Sequence, residues 1–150
     1  MPVLPEQRLS IITLGVKDLP AMIRFYTEVL GFEDRGMKGE IAFFNMGGFV
    51  LGLWDEQKLA DDAGMAADRA GAFKGFALAF NARSEAEVDA IFVRLGAAGV
   101  RVTKTPHKAP WGGYSGYFSD PEGNAWEVAF NPFWPIDEAG RVSVPAPKER

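Results

Sequence analysis

Cysteine is absent from this chain, and histidine occurs once, at position 107. Without cysteine there are no disulfides, no thiolate zinc sites and no cysteine nucleophile, a composition that fits a reducing cytoplasm. With a single histidine and no cysteine, no catalytic triad is apparent. No apolar run approaches the ~20 residues needed to span a bilayer, and no signal peptide is read at the start, so neither a membrane nor export is expected. A basic surface is missing too. The net charge is -4 and the pI is near 5.0, with lysines and arginines scattered, which argues against nucleic acid as a partner.

Aromatic side chains, by contrast, are plentiful: 12 Phe, 4 Trp and 3 Tyr in 150 residues. Most must be core, because large rings supply much of the buried apolar area of a small domain. The length suits one compact domain or two small modules.

Leu9 to Val16 is rich in branched residues and reads as a strand. Asp18 then caps a helix whose apolar positions, Leu19, Met22, Ile23, Tyr26, Val29 and Leu30, follow a 3.6-residue period, and Gly31 stops it. Strands are expected near Glu40 to Met46 and Phe49 to Trp54, around a Gly47-Gly48 turn. Residues 57–73 read as a linker with one helical turn. The order then repeats. Gly75 to Asn81 is a strand, and Ser84 with Glu87 forms a capping box ahead of a helix lined by Val88, Ile91, Phe92 and Leu95. Gly99 ends that helix as Gly31 ends the first, and Val100 to Thr105 is the next strand.

The most informative stretch runs from Gly112 to Val128. It reads as strand, a tight Asp120-Pro121-Glu122-Gly123 turn, and strand, because proline presets one turn position and glycine accepts a positive φ. Glu127 stands mid-strand, where a half-buried strand seldom spends a position on charge. It either faces a polar cavity or lies on an exposed surface. The tail from 133 to 150 holds Phe133-Trp134-Pro135, expected over a sheet edge, and turns polar beyond Ala139, where fraying is expected.

Three segments together carry a resemblance: Leu14-Gly15-Val16-Lys17-Asp18-Leu19; Phe25-Tyr26-Thr27-Glu28-Val29-Leu30-Gly31-Phe32; and Tyr117 through Glu127. With the internal repeat, residues 8 to 132 resemble the vicinal oxygen chelate superfamily, which includes glyoxalase I, extradiol dioxygenases and bleomycin-binding proteins. The resemblance implies an α+β fold of two βαβββ modules, 8–56 and 74–132, whose curled mixed sheets form a cup. It also implies a homodimer. Enzymes of the family bind a divalent ion through a His or Gln on a module's first strand and an acid on its last. The matching positions here are Ile11 and Gly52, then Ala77 and Glu127. Only Glu127 can coordinate a cation, and one carboxylate cannot hold an ion that needs about three protein ligands. A divalent metal is therefore disfavoured and no cofactor is expected.

Strand alternation assigns faces. Ile12, Leu14, Val16, Trp126, Val128 and Phe130 should pack beneath the helices. Phe43, Asn45, Trp54, Arg101, Tyr117 and Glu127 should face the cup, with Trp111 and Tyr114 on or near it. These eight residues form the candidate ligand site, a set of aromatics and a few polar groups of the kind that lines small-molecule pockets. Each aromatic is also compatible with plain packing. Glu127 has two readings, contact with a ligand or a structural pair with a neighbour such as Arg101. His107 sits in a proline-bounded segment and reads either as an exposed loop residue or as a general base at the cup rim, with Ser115 or Ser119 as possible neighbours. The expected function is metal-free binding of a small aromatic or cationic molecule such as an antibiotic. The alternative is a glyoxalase- or dioxygenase-like enzyme (lyase, isomerase or oxidoreductase) with a divergent metal site to which Glu127 would contribute, and with Glu127 or His107 as its catalytic candidates.

Overall fold

The computed structural model describes residues 11–63, 67, 74, 76–143 and 145. The expected strand positions Leu9, Ser10 and Gly75, much of the 57–73 linker and the end of the tail lie outside the described residues. The chain divides into two compact units, with the boundary at 68/69.

In the first unit, β1 (Ile11–Val16) leads into α1 (Leu19–Arg24). The Asp18 carboxylate caps α1 by accepting from the Ala21 amide at 3.0 Å. The helix then widens into a π-helical turn over Phe25–Val29, and Gly31, at φ +76, ends it. Strands β2 (Ile41–Asn45) and β3 (Val50–Asp55) complete a sheet of order β1-β3-β2, with β1 parallel to β3. Leu14, Val16, Met22, Tyr26, Phe44, Leu51 and Leu53 form its core, and the Tyr26 and Phe44 rings stack 5.7 Å apart.

The repeat called for three strands after each helix, and the first unit has two. A single side chain replaces the missing ladder. The Asp34 carboxylate accepts from the Gly36 amide at 2.8 Å and the Phe43 amide at 3.1 Å, while the Arg35 amide donates to the Phe43 carbonyl. Aspartate competes well for local backbone amides, so the segment turns instead of extending. The linker also starts with more structure than one turn. Helix α2 (Glu56–Ala63) is capped by Asp55 and lies over the Gly15 end of the sheet, where an added Cβ would sit 3.1 Å from Glu56.

The second unit is the complete βαβββ pattern: β4 (Ala77–Asn81), α3 (Glu85–Ala97), β5 (Val102–Lys108), β6 (Tyr114–Ser119) and β7 (Ala125–Phe130), in the order β4-β7-β6-β5. Ser84 caps α3 by accepting from the Glu87 amide, the first half of the capping box, while the Glu87 carboxylate accepts from the Arg83 amide and not from that of Ser84. Val88, Phe92 and Leu95 of α3 are buried with Phe118, Trp126 and Val128 of the sheet, and the Phe118 and Trp126 rings stack 6.0 Å apart. Of the tail beyond Ala139, where fraying is expected, residues 140–143 are tied back, and 144 and 146–150 lie outside the described residues. Arg141 pairs with Asp137 at 2.8 Å and Val142 bridges to Ile136, closing a loop that Arg83 holds through the carbonyls of Ile136 and Asp137. Phe133 and Pro132 lie beside Gly112, at the β5–β6 turn.

Candidate functional site

Each sheet has one face under its helix and one face away from it, and cross-strand partners share a face. In the first unit the face away from α1 carries the rows Ile11–Val50–Asn45, Thr13–Gly52–Phe43 and Gly15–Trp54–Ile41. Phe43, Asn45 and Trp54 are therefore on the face that alternation assigned. In the second unit the corresponding rows are Ala77–Ala125–Ser119, Ala79–Glu127–Tyr117–Lys104 and Asn81–Ala129–Ser115–His107. Glu127 stands in β7, one of the two inner strands, half-buried, with alanines on one side and Tyr117 on the other.

Tyr117 is the partner of Glu127. The register sets it directly across from that carboxylate, and hydrogen bonding to Glu127, then burial, then the carboxylate's charge, raise the Tyr117 pKa above the usual tyrosine value. The anticipated Arg101 pair does not form. Arg101 is exposed just before β5, no ion pair joins it to Glu127, and its carbonyl accepts from the Ser119 amide. The physical reason lies in the register, which sets Tyr117 directly opposite Glu127.

Other candidates also sit differently from their sequence reading. His107 belongs to β5 and pairs with Ser115 across the ladder, so it is a strand residue on the open face, exposed, and not a loop residue. Ser119 is buried. Tyr114 lies on the helix side: it pairs with Lys108, and its phenol donates to Asp89 of α3. That bond is the leading cause of a raised pKa for Tyr114 as well, ahead of burial and the charges of Asp89 and Glu85. Trp111 is exposed and its ring folds over Gly113, in a turn closed by the Gly112 amide donating to Ala109. Lys104 escaped the sequence reading. Plain alternation puts it elsewhere, and no local signal marks the shift.

Because both phenols are held protonated, an alkaline titration followed at the tyrosinate absorbance should show the Tyr114 and Tyr117 ionisations above the usual ~10. A raised pKa means these hydrogen bonds are intact below the unfolded value and are lost as the pH climbs through the folded one. Glu127→Gln should return one ionisation, that of Tyr117, toward the usual value. No change in the variant would break the assigned pair.

The family's metal positions can be tested on this geometry. Ile11 and Gly52 share the open face of the first sheet, as Ala77 and Glu127 share that of the second. Ile11 offers no donor. Gly52 offers no donor either, and an added Cβ there would be in tight contact, 3.2 Å from the Phe43 ring and 3.3 Å from Thr13 Oγ1. Ala77 offers none, which leaves the single Glu127 carboxylate. Among the described residues no three His, Cys, Asp or Glu side chains converge. This donor set does not fit a divalent ion.

The sequence profile of the Glyoxalase/Bleomycin resistance protein/Dioxygenase superfamily matches residues 8–128. Among solved structures, the chain is similar to a glyoxalase-related enzyme from Fulvimarina pelagi, with 42% identity over 94% of this chain and 100% of that one, and a TM-score of 0.83. It is similar to a lactoylglutathione lyase from Agrobacterium tumefaciens at 33% identity, over 89% of this chain and 100% of that one, with a TM-score of 0.69. A glyoxalase/bleomycin resistance protein/dioxygenase from Nocardioides shares 28% identity over 85% of each chain, with a TM-score of 0.75. Comparison with curated proteins finds no match. No helix among the described residues is long and apolar enough to cross a membrane. A profile that spans most of the sequence, and a 42% identical structure covered from end to end, agree with the folds of both units: the chain belongs to the glyoxalase/bleomycin resistance protein/dioxygenase superfamily.

Proposed function

We propose that this chain is a metal-free small-molecule binding protein that sequesters an aromatic or cationic compound, such as an antibiotic, on the open face of its second sheet. One observation carries the reading. At the positions where family enzymes hold their ion, Phe43 covers Gly52 and only Glu127 keeps a ligating atom. The chemistry that remains is recognition. Glu127 offers its carboxylate to a cationic nitrogen, and Tyr117 orients it while presenting a ring edge or face beside it. Ala77, Ala79, Ala125 and Ala129 keep the floor of the face shallow, which leaves room for a flat molecule. The homodimer and a cytoplasmic location belong to this proposal, the former to be read by sedimentation equilibrium.

Calorimetry with purified protein tests it. Glu127→Gln should leave the urea midpoint nearly unchanged, since the amide still accepts from Tyr117, and should weaken a cationic aromatic ligand by about tenfold or more, about 1.4 kcal/mol. A stoichiometric divalent ion, bound at micromolar affinity and lost in the same variant, would overturn the metal-free reading.

A second reading is favoured by the same pair. A carboxylate hydrogen-bonded to a phenol can abstract a proton from a positioned carbon acid, with Glu127 as base, and two of the similar structures are described as a glyoxalase-related enzyme and a lactoylglutathione lyase. Turnover of a lactoylglutathione lyase substrate that disappears in Glu127→Gln would establish it over simple binding.

A further inference from the structure

The ladder of β5 is interrupted twice, between Val102 and Lys104 and again between Lys104 and His107. Val102 is opposite Phe118, on the helix side. Unbroken alternation would put Lys104 on that side too, because a strand repeats its face every second residue. The first irregularity adds one residue and sets Lys104 opposite Tyr117, on the open face. From there, unbroken pairing would place His107 opposite Tyr114, on the helix side. The second irregularity adds another residue and sets His107 opposite Ser115. Two separate departures from regular pairing thus deliver two nitrogen-bearing side chains to one face. Both are exposed, and neither side chain is hydrogen-bonded or ion-paired to a described residue.

The result is a row of alternating chemistry across the sheet: Lys104, Tyr117, Glu127, Ala79. Neighbouring strands are about 4.8 Å apart, so the backbones of Lys104 and Glu127 are about 10 Å apart with an aromatic ring between them. No ion pair joins Lys104 to Glu127 across this row. They define two poles.

We infer that the ligand of this face is dipolar, with a cationic nitrogen held at Glu127 and a carboxylate held at Lys104, beside the His107 and Ser115 side chains. The inference rests on the proposed binding role of the second sheet and names the class of molecule it takes. Bulges and lysines also blunt exposed sheet edges. Edge protection needs charge on β5 but not its alignment with Glu127, and an experiment with matched probes separates the two.

Three probes share one ring: 4-(aminomethyl)benzoate carries both charges, 4-methylbenzylamine only the cation, 4-methylbenzoate only the anion. Calorimetry should find the dipolar probe bound at least about tenfold more tightly than 4-methylbenzylamine. Lys104→Gln combined with His107→Gln should erase that advantage without weakening 4-methylbenzylamine, while Lys104→Arg, which keeps the charge, should retain it. Near-ultraviolet circular dichroism checks that each variant is folded. Equal affinity for the dipolar and cationic probes, or an advantage that survives the double substitution, would overturn the inference. If 4-methylbenzylamine binds and responds to Glu127→Gln without any dipolar advantage, the binding reading stands and the dipolar ligand falls. If none of the three binds up to about 10 mM, both fall.

Discussion

Asp120→Ala should destabilise the protein by about 3 kcal/mol or more, measured as a fall in the free energy of urea unfolding. Asp120 is only 2% exposed, and its carboxylate organises the turn between β6 and β7. Oδ1 accepts from the amides of Glu122 at 3.0 Å and Asn124 at 2.9 Å, and Oδ2 accepts from the Asn124 side-chain amide at 2.6 Å. Asn124 is also buried and in turn accepts from Lys74 at 3.1 Å. Alanine would leave several of these donors without a partner, and each buried orphan costs about 1–3 kcal/mol, more where the lost partner was charged. The turn joins the two strands that carry Tyr117 and Glu127, so the damage should reach the open face. A loss below about 1 kcal/mol would show that Pro121 and Gly123 hold the turn without the carboxylate.

Gly116→Ala should be nearly as costly, at about 2–3 kcal/mol, and more specific in its effect. Gly116 lies in β6 on the helix side, where a Cβ would sit 2.7 Å from Phe92 Cζ and 2.9 Å from both the Lys104 carbonyl oxygen and the Pro106 nitrogen. Two of those three atoms are backbone of the irregular stretch of β5 and cannot rotate away. The bulged chain folds closely over this glycine, and a methyl group would push it off. We expect amide resonances of Lys104 through His107 to shift, and the affinity of a dipolar ligand to fall with them. A tolerated alanine, with unchanged β5 resonances, would mean that the irregular stretch is compliant and does not depend on the close approach.

Much of the fold was legible because the signals are local. Asp18, Ser84, Gly31 and Gly99 mark helix ends through hydrogen bonds and dihedral preferences within a few residues, and the structure uses each as read. Alternation along β1 and β7 separated Leu14, Val16, Trp126 and Val128 from Glu127, because burial on one face of a regular strand imposes period two on the sequence. The errors occurred where regularity fails. Asp34 took the place of a ladder, Asp55 started a helix of two turns where one was expected, and Asp137 with Arg141 closed a loop at the start of the tail. In each, one short acidic side chain competes for backbone amides. The same residue type fills ordinary loops, so composition alone does not announce it.

The candidate site divides along the same line. Its central carboxylate and the face it occupies were determined by the sequence alone, because residue identity and strand parity are enough for both, and the family resemblance added which positions, Ile11, Gly52 and Ala77, lack a ligating atom. Which neighbour Glu127 has was decided only by the tertiary structure. Tyr117 replaces Arg101, Lys104 and His107 join the open face, and Phe43 covers Gly52, because pairing register depends on the partner strand and two irregularities in β5 each turn the following residues over. A strand's own sequence carries its period. It does not carry the residue at which a partner makes it slip.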